Sequence, residues 1–317
     1  MIKRVCIFGV GGLGGYYGGT IARVFAADRV AGRARELYFV ARGEHLREIQ
    51  QHGLILNTPE VQGLVCKPTK AVEDYAELPA PDLILLCVKG CDLAGAVQTI
   101  AKNCKETTYI ISLMNGVDIY ERVRKQLDMG YVFPTCVYIA SSIEKPGTVT
   151  KIGGPCLIHF GKDPLHPELI PHDLFAFFDE MGFAYQWHEE CAPAIWEKYL
   201  FVAAFALVSA RYQKNFGEIL CDETARQTVR HIMHEVLALS VAAGVTLRES
   251  IIEDLFDRAY SFPPDTKTSY QRDLERGAPG NEGELLGGTI IRMGKQYGVP
   301  TPVTEQLYQA IKARTNH

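Results

Sequence analysis

Three glycines near the start of the chain, Gly9, Gly11 and Gly14, stand in G-x-G-x-x-G register within GVGGLG. They follow an apolar run, Arg4 to Val10, and open a stretch of helical spacing, Tyr16 to Ala27. In that context each glycine has a task. The first allows a tight turn, the second lets a pyrophosphate approach the backbone, and the third lets helix and strand pack closely. The helix that begins around Gly12 and Leu13 would present its unpaired N–H groups to the anion. Arg42, in VARGEHL, stands at the end of the second apolar run, where an acidic residue would select an unphosphorylated ribose. A guanidinium instead offers a fork of donors suited to a phosphate. Lys89, closing DLILLCVK, adds a second positive charge. The pattern points to NADP(H); the bland reading is a glycine-rich structural turn flanked by two solvated cations.

A second candidate is Lys198, in AIWEKYLFVAAFALVSA, Ala194 to Ala210. Beyond the lysine almost everything is apolar, and a run without a polar stripe is buried all round. An ammonium at the mouth of such a helix must be paired, solvated or put to use. Pairing with Glu197 and snorkelling to the surface are the structural alternatives. His231 and His234 have a spacing that can bind metal on a helix, but no third ligand follows, and they read as a surface pair. His188, Glu189 and Glu190 read as a solvated loop. No Ser-His-Asp or Cys-His arrangement can be picked out, and no metal is expected. The nine cysteines include no C-x-x-C pair and read as free thiols of a reducing compartment.

The elements that must position these groups alternate in type. Arg4–Val10, Glu36–Arg42, Asp82–Lys89 and Thr107–Gly116 read as strands, with helical patterns between them. DLILLCVK shows no polar alternation, as expected of a strand covered on both faces. The expectation is an α/β fold with a parallel sheet, a Rossmann-type dinucleotide-binding domain. Asp28 to Arg35, charged and glycine-containing, reads as an exposed extension of the first helix-strand loop. From Tyr131 to Gly161 the chain turns strand-rich. Glu168 to Met181 reads as a helix and Phe183 to Glu189 as a last strand. After Cys191 the pattern is helical. Two domains are expected, residues 1–190 and 191–317, and 317 residues suit two cores better than one. With 22% charged residues and a net charge of −4 there is no basic stripe, so no nucleic-acid partner is expected. Leu200 to Ala210 falls short of the roughly 20 residues that span a bilayer. The N-terminus lacks the features of a signal peptide. A cytoplasmic protein without a membrane partner is the expectation.

GVGGLGGYYGG, VARGEHL, Val88–Lys89, Asn115–Gly116, Trp196–Lys198 and EGELLGGTIIRMGKQYGVPTP occur in this order along the chain. Together they resemble the ketopantoate reductase (2-dehydropantoate 2-reductase) family over essentially the whole length. The resemblance implies a Rossmann-type domain followed by an all-helical domain like the C-terminal domain of 6-phosphogluconate dehydrogenase, with the active site in the cleft between them. It implies NADPH-dependent reduction of a 2-oxo acid on the route to pantothenate and coenzyme A. Lys198 matches the general acid. Asn115 matches an asparagine near both nicotinamide and substrate. Ser269, in TSYQRDLE, matches a serine that holds the substrate. Glu282 matches a glutamate that also reaches it; one extra residue just before leaves Glu284 as the other register. The family includes dimers, so a homodimer is within what the resemblance implies.

The chain departs from the family where that family usually carries asparagines. Val202 and Ala206 stand four and eight residues after the lysine, Phe216 precedes the Gly-Glu of NFGEIL with Asn215 one place off, and Thr266 lies three residues before Ser269. Such donors decide whether a substrate hydroxyl is accepted. Three readings follow: a ketopantoate reductase with repositioned donors, a reductase of a more apolar 2-oxo acid, or a non-catalytic NADP(H)-binding sensor.

Overall fold

The computed structural model describes residues 1–30, 32, 34–277 and 282–315. Met1–Asn115 with Ile119–Cys191 forms one compact unit; Gly116–Asp118 with the chain from Ala192 onward forms a second. The first unit contains strands β1 (Arg4–Phe8), β2 (Glu36–Val40), β3 (Leu54–Asn57), β4 (Leu64–Cys66), β5 (Lys70–Val72), β6 (Leu83–Leu86), β7 (Tyr109–Ser112), β8 (Tyr131–Phe133), β9 (Thr135–Lys145), β10 (Thr148–Gly161) and β11 (Ala184–His188). Its helices are α1 (Gly12–Val30), α2 (Gly43–His52), α3 (Leu93–Ala101), α4 (Ile119–Arg124) and α5 (His172–Met181).

Six strands pair in parallel in the order β5-β2-β1-β6-β7-β8. Every residue of β6 is buried, as are the last four of β1, which is what an apolar run without alternation must do. The order reverses around β1, and in such sheets the crevice at the carboxyl ends of the strands is where ligands bind. A second sheet runs β11-β10-β3-β4, with β9 antiparallel to β10. Helix α1 is held between the two sheets by its glycines. A side-chain carbon at Gly18 would stand 2.7 Å from the Phe39 ring, one at Gly15 2.5 Å from Val149, and one at Gly19 2.9 Å from Leu56. The GGYYGG run therefore serves close packing on two faces at once.

Several expectations need correction. Asp28–Arg35 is not an exposed extension: α1 continues to Val30, and Asp28 is buried against Arg35, which also grips Glu180 through two bonds of 2.6 and 2.7 Å. Ala31 and Arg33 lie outside the described residues. Helix α5 starts at His172 rather than Glu168, because Pro171 disfavours the α conformation at Ile170. His188 is not part of a solvated loop; it ends β11 and shares a 2.9 Å hydrogen bond with His159.

The second unit is helical: α6 (Ala192–Tyr212), α7 (Phe216–Cys221), α8 (Glu223–Ala242), α9 (Ile251–Tyr260), α10 (Ser269–Glu275), a π-helical turn at Glu284–Gly288, α11 (Thr289–Tyr297) and α12 (Pro302–Thr315). Helix α6 is its axis. By length and composition α6 could cross a membrane, but most of it is buried against the other helices of this unit. Val117 packs into the same core, and Arg292 bonds Asp118, so the short 116–118 segment is fastened here.

Candidate functional site

In the first unit the candidates gather at the carboxyl ends of β1, β2, β6 and β7. Gly9 follows β1 with a φ of 95°, a conformation that side chains rarely adopt, and an added carbon there would stand 2.8 Å from the Cys87 carbonyl. At Gly14 the added carbon would lie 2.1 Å from the Gly9 carbonyl, and at Gly12 2.6 Å from that of Ser141. These three glycines are required by the protein's own backbone. Gly11 differs: its φ is ordinary and an added carbon would meet nothing within 4 Å. Open space at the second glycine fits the approach of a pyrophosphate, and Leu13 stands half-buried in the first turn of α1 behind it. The residues present thus fit a dinucleotide.

Arg42 precedes α2, in extended backbone and 74% exposed. Its guanidinium donates to both carboxylate oxygens of Asp92, at 3.3 and 2.8 Å. Lys89 is exposed just after β6 and leads into a single 3₁₀ turn, Gly90–Asp92. Asn115, half-buried beyond the end of β7, is the last residue of this unit before Gly116 turns the chain with a φ of 136°. Sequence reasoning missed two residues here. Asp92 gave no signal, because its partner is 50 positions away. His45, within the VARGEHL stretch, accepts from the Gly147 N–H at 2.9 Å. Burial, only partly offset by the Val10 carbonyl, holds its imidazole below the usual pKa.

In the second unit Lys198 lies in the second turn of α6 and is 7% exposed. Glu197, beside it in sequence, meets Arg248 at 3.5 Å. The neighbouring Tyr199 donates to the carbonyls of Leu285 and Leu286 at 2.9 and 2.7 Å. This fastens the π-helical turn to the head of α6. Glu282, just before that turn, is 8% exposed, whereas Glu284 is exposed and accepts from Arg292 at 2.8 Å. Ser269 opens α10, and the preceding Thr268 caps it while sharing a 2.7 Å hydrogen bond with Ser209. Ser209 lies three turns, roughly 16 Å of helix axis, beyond Lys198. Lys198 and Glu282 are thus at one end of α6, and the cap of the Ser269 helix is anchored further along.

Arg272 lies one turn after Ser269 on α10. Its guanidinium donates to the Lys267 carbonyl at 2.8 Å. Among the described residues no carboxylate comes within ion-pair distance of it, and burial, with Arg276 nearby, holds its pKa below the usual value. Ala206 and Phe216 are buried in the helical core, where the Phe216 ring stacks on Phe205 at 4.8 Å. Asn215 caps α7 in a reciprocal pair with Glu218. Val202 and Thr266 are half-exposed. His231 and His234 are both exposed, and no group of three metal-binding side chains occurs among the described residues. All nine cysteines are free thiols. Burial raises the pKa of Cys6, Cys87 and Cys191, and that of Cys66 to about 11, which disfavours the thiolate.

Comparison with known proteins follows the same division. A family model described as ketopantoate reductase PanE/ApbA matches residues 5–164. Its counterpart for the C-terminal part matches residues 190–315. A 2-dehydropantoate 2-reductase of Mesorhizobium japonicum is 26% identical, over 98% of this chain and 97% of its own. The crystal structure of a PanE/ApbA family ketopantoate reductase from Ralstonia eutropha JMP134 is 27% identical. It superposes with a TM-score of 0.86 over 99% of this chain and 100% of its own. The ternary structure of a D-mandelate dehydrogenase with NADH and anilino(oxo)acetate has the same fold, with a TM-score of 0.84 at 22% identity over 99% and 98% of the two chains.

Proposed function

This chain belongs to the ketopantoate reductase PanE/ApbA family and is an oxidoreductase acting on CH–OH groups, and we propose that it reduces 2-dehydropantoate to pantoate with NADPH. The observation that carries the reading is Lys198, an ammonium 7% exposed at the head of an apolar helix. A buried ammonium is retained where it is paired or put to use, and the match of Lys198 to the family's general acid favours use. The glycine turn, with Gly11 open, holds the pyrophosphate; Arg42 and Lys89 face the 2′-phosphate; Asn115 holds the nicotinamide end and the substrate. When bound, NADPH supplies the hydride that adds to the 2-oxo carbon. Lys198 donates a hydrogen bond to the carbonyl oxygen, gives it a proton as negative charge develops, and regains one from solvent. Glu282 accepts from the substrate hydroxyl. Ser269 helps hold the substrate, and Arg272, one turn further along α10, offers a guanidinium suited to its carboxylate. The reaction is placed in the cytoplasmic route to pantothenate, with a homodimer as the working form. The free thiols support such a compartment.

One observation favours a second substrate. Ala206 and Phe216 are committed to an aromatic core, so two positions that would offer amide donors to a hydroxylated substrate offer none. An apolar 2-oxo acid would not miss them. Initial rates with ketopantoate and with a series of alkyl and aryl 2-oxo acids separate the two. Highest kcat/KM for ketopantoate supports the first reading, and an advantage of at least tenfold for an aryl 2-oxo acid replaces it with the second.

A further inference from the structure

The end of β2 in a dinucleotide-binding sheet reads the adenosine ribose, an acid there accepting the 2′-hydroxyl and a cation accommodating a 2′-phosphate. This chain brings both to the same place. Arg42 supplies the cation from the end of β2. Asp92 supplies a carboxylate from the 3₁₀ turn after β6, on the other side of β1. The two meet in a bidentate pair, Nη1 to Oδ1 at 3.3 Å and Nη2 to Oδ2 at 2.8 Å. The pair is open to water, with Arg42 74% and Asp92 34% exposed. It is therefore weak and easily parted. The fork that would grip a 2′-phosphate is thus already occupied by a carboxylate of the same bidentate geometry.

We infer that Arg42 and Asp92 form a dual reader of the adenosine ribose, which narrows the chain's preference between NADPH and NADH. With NADPH, the phosphate takes the guanidinium fork and Asp92 is displaced as a repelling like charge. With NADH, Asp92 keeps its hold on Arg42 and its free lone pairs accept from the ribose hydroxyls. The carboxylate thus works against the phosphorylated cofactor and for the other. The inference rests on the reading of Arg42 as the phosphate-facing residue, and its test separates the two claims.

The test is calorimetric titration of NADPH and NADH into the full-length protein, wild type, Asp92→Asn and Arg42→Ala. Asp92→Asn keeps the shape of the side chain and removes its charge. It should tighten NADPH about tenfold and weaken NADH severalfold, and Arg42→Ala should weaken NADPH selectively. If Arg42→Ala weakens NADPH selectively while Asp92→Asn leaves the NADPH-to-NADH ratio unchanged, the dual reader is wrong and the role of Arg42 stands. If Arg42→Ala weakens both cofactors equally, the role of Arg42 falls and the inference falls with it. Thermal melting of the variants confirms that each is folded as the wild type is.

Discussion

The four glycines of the GVGGLG turn separate when an extra carbon is placed on each. Gly14→Ala would put a methyl 2.1 Å from the Gly9 carbonyl, and backbone cannot move aside as a flexible side chain can. A loss of more than about 2 kcal/mol of stability is expected, read as the shift of a denaturant midpoint. Gly11→Ala meets no protein atom within 4 Å, so its stability should stay within about 0.5 kcal/mol of wild type. Its dinucleotide affinity should nevertheless fall at least tenfold. Equal loss of stability in both variants would mean that Gly11 serves the fold alone. The glycine register was legible in the sequence because its chemistry is local. Arg42 was legible as a cation, but its pairing with Asp92 was not. Nor did the sequence show that Glu282 is buried while Glu284 is exposed and meets Arg292, because both lie in one irregular turn.

Element by element, what could be read was what periodicity encodes. The buried strands β1 and β6 and the apolar helix α6 stand out as unbroken runs. Strands β4 and β5, three residues each, are too short to show alternation, so β5 at the edge of the first sheet and β4 at the edge of the second were not legible, although the strand-rich Tyr131–Gly161 and the strand at Phe183–Glu189 were. The charges of Asp28 and Arg35 suggested solvent, but a buried carboxylate is tolerable when a guanidinium meets it. A similar arrangement fastens α4 to the sheet. Asp163, fully buried, accepts from Arg124, from the Tyr120 hydroxyl at 2.9 Å and from the backbone N–H groups of Val132 and Leu165 at 3.1 Å. Arg124→Leu leaves that carboxylate with neutral donors only. A destabilisation of about 3 kcal/mol is expected, measured by chemical denaturation. A loss below about 1 kcal/mol would show that the dipoles around Asp163 suffice.

For the molecule as a whole, acid should weaken the fold near neutrality. Burial holds the imidazoles of His45 and His188 below their usual pKa, so the unfolded chain takes up protons at these sites before the folded one does. Their contribution is complete above the unfolded value of about 6.5 and is lost as pH falls from there toward the folded values. The melting temperature should therefore decline between pH 7 and pH 5, and His188→Gln should flatten part of the decline. An unchanged slope in that variant would assign the effect elsewhere. The central claim concerns the reaction itself: a dinucleotide-dependent reduction of a 2-oxo acid in which Lys198 delivers the proton. The most direct measurement follows loss of nicotinamide absorbance with NADPH and ketopantoate, for wild type and Lys198→Ala, alongside NADPH affinity for both. The account predicts turnover in the wild type and a fall in kcat of about 10² to 10⁴ in the variant, with NADPH affinity retained. A Lys198→Ala enzyme that turns over as fast as wild type would contradict it.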